Sequence, residues 1–220
     1  MLLQSEREQV ADYARRMIDT GLVVNTSGNI SIRTGDQVAI TPSGHPYESL
    51  GPGDIVVLDV NGDIVDGDLL PSSETRLHLS LYADDSAIGA IVHTHSVYAT
   101  AVSTLVDELP AIHYNVELLG GPVPVAPYRT FGSPELAEVV AEAIKGRSAA
   151  LMQNHGSTTV GKTVDDAFSK AITLEWLARV YLEASRAGSP SLLSEADLSE
   201  VRKQLDVFAA KRDEKLRSRE

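Results

Sequence analysis

Apolar residues recur at helical spacing as Val10, Tyr13, Ala14, Met17 and Ile18, behind Ser5 and Glu8 at capping-box spacing and ahead of Gly21. This predicts a helix over roughly 5–20. A turn cluster, "NTSGN", follows, and then "ISIR" and "QVAIT" alternate as the two arms of a hairpin around "TGD". "DIVVLDVNGDIVDG" reads as a second pair of strands about Asn61-Gly62. Past Pro71, "SSETRLHLSLYA" has helical periodicity and a serine cap. "AIGAIVHTH" is β-branched and apolar, as a buried strand is. "SPELAEVVAEAIKG" is an amphipathic helix opening on Ser133-Pro134. "AALMQN", a turn at "HGS" and "TTVG" predict two more strands. Thr163 with Asp166 caps a long helix toward Gly188, and Ser194 with Asp197 caps a last helix into a charged tail.

This order of elements predicts a mixed α/β fold, with helices on both faces of a partly antiparallel sheet. The 220 residues suit one domain, 1–220, with the last helix and tail at about 194–220. No internal repeat or linker divides them.

Composition narrows the chemistry. There is no cysteine, so disulfides, thiolate zinc sites and cysteine nucleophiles are excluded, and any metal must be held by His, Asp or Glu. The formal net charge of −12 argues against a nucleic-acid partner, which would call for a basic patch. No apolar run is long enough to span a membrane. "MLLQSEREQV" lacks the basic-then-apolar order of a signal peptide, so a cytoplasmic location is expected.

Two groups of residues could carry chemistry. His93 and His95, two apart on a strand, project to one face and could grip one cation or simply close the strand with ordinary hydrogen bonds. His155 in "QNHGSTT" and Glu74 in "PSSETRLH" each have a bland reading, as a solvated loop histidine and a helix-start acid. Together the four make three imidazoles and a carboxylate, a donor set that suits zinc and is open to other divalent ions. Glu74 is the ligand that could leave the ion and act as a base. His78, four residues on, reads as support or packing, and His45 and His113 are unassigned. The second group is three turns rich in hydroxyls and backbone N–H: "TSGN" (26–29), "TPSG" (41–44) and "SSE" (72–74). Turns are built of such residues anyway. They also make anion nests, and "SSE" sets phosphate donors beside the carboxylate.

"TSGNISIR", "ITPSGHPYESL", "LPSSETRLH", "IVHTHS", "PAIHY", "APYRTFG" and "NHGSTTVGKTVDDAF" occur in order, and over about positions 5–185 the chain resembles the class II aldolase/adducin-head family. The resemblance implies a three-layer α/β/α fold with a largely antiparallel central sheet. It also implies a homotetramer with active sites at subunit interfaces. One Zn²⁺ per subunit would be held by Glu74, His93, His95 and His155. Thr26, Gly28, Asn29, Ser43, Gly44, Ser72 and Ser73 would take the phosphate of a phosphorylated sugar. Glu74 would be the acid/base, and Tyr114 and Phe131 would face the aldehyde. Phe208 stands where the resemblance sets the proton-donating tyrosine of the fuculose-phosphate-cleaving branch, so either Tyr114 takes that part, or the aldehyde differs, or the last helix aligns in another register. The implied reaction is cleavage of a ketose 1-phosphate, such as L-fuculose 1-phosphate, to dihydroxyacetone phosphate and a small aldehyde such as L-lactaldehyde. The alternatives are an L-ribulose-5-phosphate 4-epimerase-type reaction on the same layout, a related dehydratase of methylthioribulose phosphate, and a non-catalytic adducin-like binding module, which would lack the full ligand set.

Overall fold

The structure, a computed structural model, describes residues 1–217. Helix α1 spans Gln4–Asp19, and α2 Thr75–Asp84. Helix α3 spans Val97–Ser103, and α4 Pro134–Ile144. Helix α5 spans Val164–Ala187, and α6 Glu195–Arg217. The strands are β1 Asn29–Thr34, β2 Gln37–Ile40, β3 Val56–Asp59, β4 Ile64–Asp66, β5 Ala90–Thr94, β6 Glu108–Leu109, β7 Val123–Ala126, β8 Ala149–Met152 and β9 Gly156–Gly161. Among the described residues they form one sheet in the order β4-β3-β2-β1-β5-β9-β8-β7-β6, with β5 in the middle. Neighbours run antiparallel except β7 and β8, the parallel pair joined by the α4 crossover.

Strand alternation sorts the side chains into two cores. Ile30, Ile32, Ala90 and Val92 pack with Val10, Ala14 and Met17 of α1 and Ala167, Phe168 and Ala171 of α5. Ile91, Ala150, Met152 and Val160 face the other way, onto Leu77, Leu81 and Tyr82 of α2 and Val140 and Ile144 of α4. Ala149 and Leu151 meet α3 and α5. Helices thus cover both faces of a mostly antiparallel sheet, the three layers expected.

Several local expectations shift. Ser5 lies inside α1, one residue past its start, so it cannot cap; Leu3 holds the N-cap position in the left-handed region, at φ 49. The Asn61-Gly62 turn is not a two-residue primed turn. The Asp59 carboxylate accepts the N–H groups of Asn61 and Asp63, closing a longer loop. The turn before β9 is Gln153–His155 rather than "HGS", because Gly156 and Ser157 already pair with Met152 and Leu151. Ser133, Thr163 and Ser194 do cap α4, α5 and α6, accepting the N–H groups of Leu136, Asp166 and Asp197. No helix among the described residues is long and apolar enough to cross a membrane.

Candidate metal centre and anion cleft

His93 lies within β5 and His95 one residue past its end, so the strand period turns both to the same face. Their Nε2 atoms stand 3.0 Å apart. His155 closes the β8–β9 turn, where Asn154 takes φ 57. That turn reaches His95 because residue 156 has no side chain: a Cβ there would sit 2.1 Å from the Thr94 carbonyl oxygen and 3.2 Å from His95 Cδ2. The three ring centroids lie 4.8 to 4.9 Å apart.

Glu74 is the N-cap residue of α2, one position before the first turn where the sequence placed it. Its N–H donates to Ser72 Oγ at 3.2 Å, and its carbonyl accepts from Leu77 and His78. The side chain drops onto the sheet, where Oε2 is 2.8 Å from His93 Nε2 and accepts from Asn29 Nδ2 at 3.1 Å. One ligand atom from each of Glu74, His93, His95 and His155 lies within 4.8 Å of all the others.

The hydrogen bonds show that this group fits a metal ion. His93 Nδ1 donates to the Ser157 carbonyl oxygen at 2.9 Å, and a carbonyl only accepts. The neutral ring therefore presents an Nε2 lone pair to Glu74 and His95, a repulsive arrangement unless a cation stands among them. Without a metal that cation is a proton. Burial pulls the His93 imidazole down, but the Glu74 charge outweighs it and the pKa is raised. Burial pushes the Glu74 carboxyl up, but His93, His155 and Asn29 hold it below the usual carboxylate range. His95 is pushed down to about 3 and His155 to about 4, by burial first and then by His93. Two neutral imidazoles thus face a carboxylate and one proton that a divalent ion can replace. Glu74 Oε1 is buried without a hydrogen bond; His155 Nε2 stands 3.4 Å away, at ion-pair distance but outside hydrogen-bond geometry. A further ligand is what that oxygen lacks.

Beside these groups is a cleft of about 130 Å³ lined by Thr26, Gly28, Asn29, Ser43, Gly44, Ser72 and Ser73, with Glu74, His95, His155 and Phe131 at its other wall. All seven residues expected to take a phosphate line it. The Ser43 and Ser72 N–H groups are spent on the Leu70 and Thr41 carbonyls, fastening two of the turns together. Among the described residues no protein acceptor takes the N–H of Gly28, Gly44 or Ser73. Gly28 must be glycine: at φ 76 a Cβ would stand 2.7 Å from the His93 carbonyl oxygen.

Two expected residues lie elsewhere in the chain. Tyr114 is 52% exposed at the start of a 3₁₀ turn, stacked on His113, which meets Trp176 edge-on. Phe208 is 60% exposed on α6. Neither lines the cleft. Conversely, Asn29 does more than line it, since its amide bonds both Glu74 and His78. The sequence does show a polar face there, Asn29 and Ser31 at period two in a strand whose other face is apolar, though not what that face meets.

The family model described as "Class II Aldolase and Adducin N-terminal domain" matches residues 8–182. The chain belongs to the class II aldolase and adducin N-terminal domain family. It is 40% identical over 210 residues to a 5-deoxy-D-ribulose 1-phosphate aldolase of Bacillus thuringiensis serovar kurstaki, covering 94% of this chain and 99% of that one. It is 39% identical over 208 residues to an L-fuculose phosphate aldolase of Escherichia coli K12, covering 94% and 96%. A solved L-fuculose 1-phosphate aldolase superposes with a TM-score of 0.89 at 35% identity, covering 92% of this chain and 96% of that one. This member of the family is thus an aldolase by descent, and class II aldolases depend on a metal. The Glu74, His93, His95 and His155 group is where this chain can hold one.

Proposed function

We propose that the protein, acting as one domain, is a zinc-dependent aldolase that cleaves a ketose 1-phosphate to dihydroxyacetone phosphate and a small aldehyde. One observation carries the reading: a buried carboxylate with an unpartnered oxygen faces three imidazoles at the mouth of a cleft lined by N–H groups and hydroxyls. Relatives named for 5-deoxyribulose 1-phosphate and fuculose phosphate support a ketose 1-phosphate as substrate.

Glu74, His93, His95 and His155 would hold a zinc ion, which would supply a Lewis acid for the developing enediolate charge. The chain's own residues do the rest. Thr26, Gly28, Asn29, Ser43, Gly44, Ser72 and Ser73 hold the phosphate, so that binding remote from the reacting carbons orients them. Glu74 Oε1 takes the C1 proton of dihydroxyacetone phosphate in the condensing direction and returns it in cleavage. Phe131 borders the aldehyde side. Tyr114 and Phe208 are exposed and outside their own chain's cleft, which supports a homotetramer in which they complete a neighbour's site. Tyr114 is then the candidate proton donor to the aldehyde oxygen.

The test is to incubate the purified protein with a panel of ketose 1- and 5-phosphates, with and without a chelator. Release of free dihydroxyacetone phosphate, abolished by chelation and restored by zinc, is expected. A stereoisomer formed without fragments would replace this reading with epimerisation, and no turnover of any ketose phosphate would refute it.

A further inference from the structure

Behind the metal group, Glu74 and Asn29 begin a row that continues into three buried polar side chains, His78, Ser31 and Tyr82, that the reaction above does not use. Asn29 and Ser31 lie two apart on β1, on the face covered by α2, and Asn29 is the antiparallel partner of His93. His78 and Tyr82, one helical turn apart on α2, point back at them. Glu74 Oε2 accepts from Asn29 Nδ2 at 3.1 Å, and Asn29 Oδ1 is 2.5 Å from His78 Nε2. His78 Nδ1 is 2.6 Å from Ser31 Oγ, which is 2.8 Å from the Tyr82 hydroxyl. All five residues are at least 96% buried.

The direction of every bond in this row follows from its first member. An ionised carboxylate only accepts, so the Asn29 NH₂ must face Glu74 and its Oδ1 must face His78. His78 must then carry its hydrogen on Nε2, leaving Nδ1 to accept from Ser31, whose oxygen accepts from Tyr82. Turning the Asn29 amide over would set Oδ1 against the Glu74 carboxylate. We infer that His78 is a positioning residue: its Nε2–H fixes the orientation of the Asn29 amide, and through it the carboxylate of Glu74 and the Asn29 wall of the anion cleft. This rests on the proposed role of Glu74. It adds that the metal and phosphate sides of the site share one amide, and that a histidine touching neither ion sets which way that amide faces.

The test uses zinc alone, with no substrate. Zn²⁺ affinity is measured by competition with a chromophoric chelator for wild type, His78→Phe and His78→Gln, alongside thermal unfolding to show that each variant is folded. His78→Phe removes the donor and is expected to bind Zn²⁺ about 10–100-fold more weakly. His78→Gln keeps an N–H donor toward Asn29 Oδ1 and is expected to recover most of that loss. A folded His78→Phe with wild-type affinity, or a folded His78→Gln as weak as His78→Phe, would overturn the inference. Should His78→Phe not fold, ¹⁵N spectra of the wild-type protein decide it. Hydrogen on Nε2 with Nδ1 bare is expected for His78, and hydrogen on Nδ1 with Nε2 bare would overturn it. None of these readings needs turnover, so a protein that shows them and cleaves no ketose phosphate would sink the proposed reaction and leave the role of His78 standing.

Discussion

His78→Gln should make the zinc-stripped protein less sensitive to acid. His78 is fully buried, and burial first, then the nearby His93 charge, pushes its imidazole down to about 3 from an ordinary 6.5. A histidine depressed in the folded state stabilises the fold above its unfolded pKa, and that stability drains away as pH falls toward the folded value. Between pH 6.5 and an assay pH of 5, at about 1.4 kcal/mol per unit, the loss from His78 alone comes to about 2 kcal/mol. Glutamine does not titrate, so this part of the acid response should vanish in the variant. His93, His95 and His155 are present in both proteins and cancel in the comparison. The assay is urea unfolding of both proteins at pH 7 and pH 5 after removal of metal, read as free energy from midpoint and slope. The wild type should lose about 2 kcal/mol more than His78→Gln over that interval. An equal loss in both would mean that His78 is not held neutral inside the fold, and the reasoning that assigns its hydrogen would fall with it.

Three further outcomes are expected. Glu74→Gln should still bind dihydroxyacetone phosphate but should lose exchange of its C1 proton with solvent, followed by NMR in D₂O; normal exchange would remove Glu74 as the base. Gly156→Ala drives a methyl group into the Thr94 carbonyl and should cost about 1–3 kcal/mol in urea unfolding. It should also weaken zinc binding by spreading His155 from His95, and unchanged values for both would refute the close-approach argument. Phe208→Tyr should raise turnover with lactaldehyde as the aldehyde if that position faces a neighbouring subunit's site, whereas an unchanged rate would detach Phe208 from the aldehyde pocket.

The candidate site was largely legible because its residues obey short-range rules. The H-x-H pair follows strand period two, and Glu74 and His155 sit in turns flanked by Ser and Gly. The three turns that line the cleft were legible as turns for the same reason. Helix α3 was not: "VYATAVS" is rich in β-branched and aromatic residues, and it is held helical from a distance. The Glu175 carboxylate, on α5, accepts the N–H groups of Tyr98 and Ala99 at 2.9 and 2.8 Å, capping α3 across 77 and 76 residues of sequence. Strand β6, two residues long, has too few positions to show a period. The link from Asn29 to His78 was hidden because it joins residues 49 apart whose adjacency depends on how α2 lies over β1. Ser5 and Glu8 had the right spacing one turn out of place, since capping depends on where a helix starts and spacing alone does not fix that.

The placement of His93 on the innermost strand has an evolutionary consequence. His93 belongs to β5, which is paired on both sides, to β1 and to β9. A slip of either neighbour would break a whole ladder, so the position of His93 is insulated from change at the sheet's margins. The residues that would meet the variable end of a substrate lie on exposed loops and the outer helix: Phe131, Tyr114 and Phe208. On the proposed reaction, reactive centre and selectivity surface are free to diverge independently, in keeping with relatives about 40% identical to this chain that carry different sugar phosphates in their names.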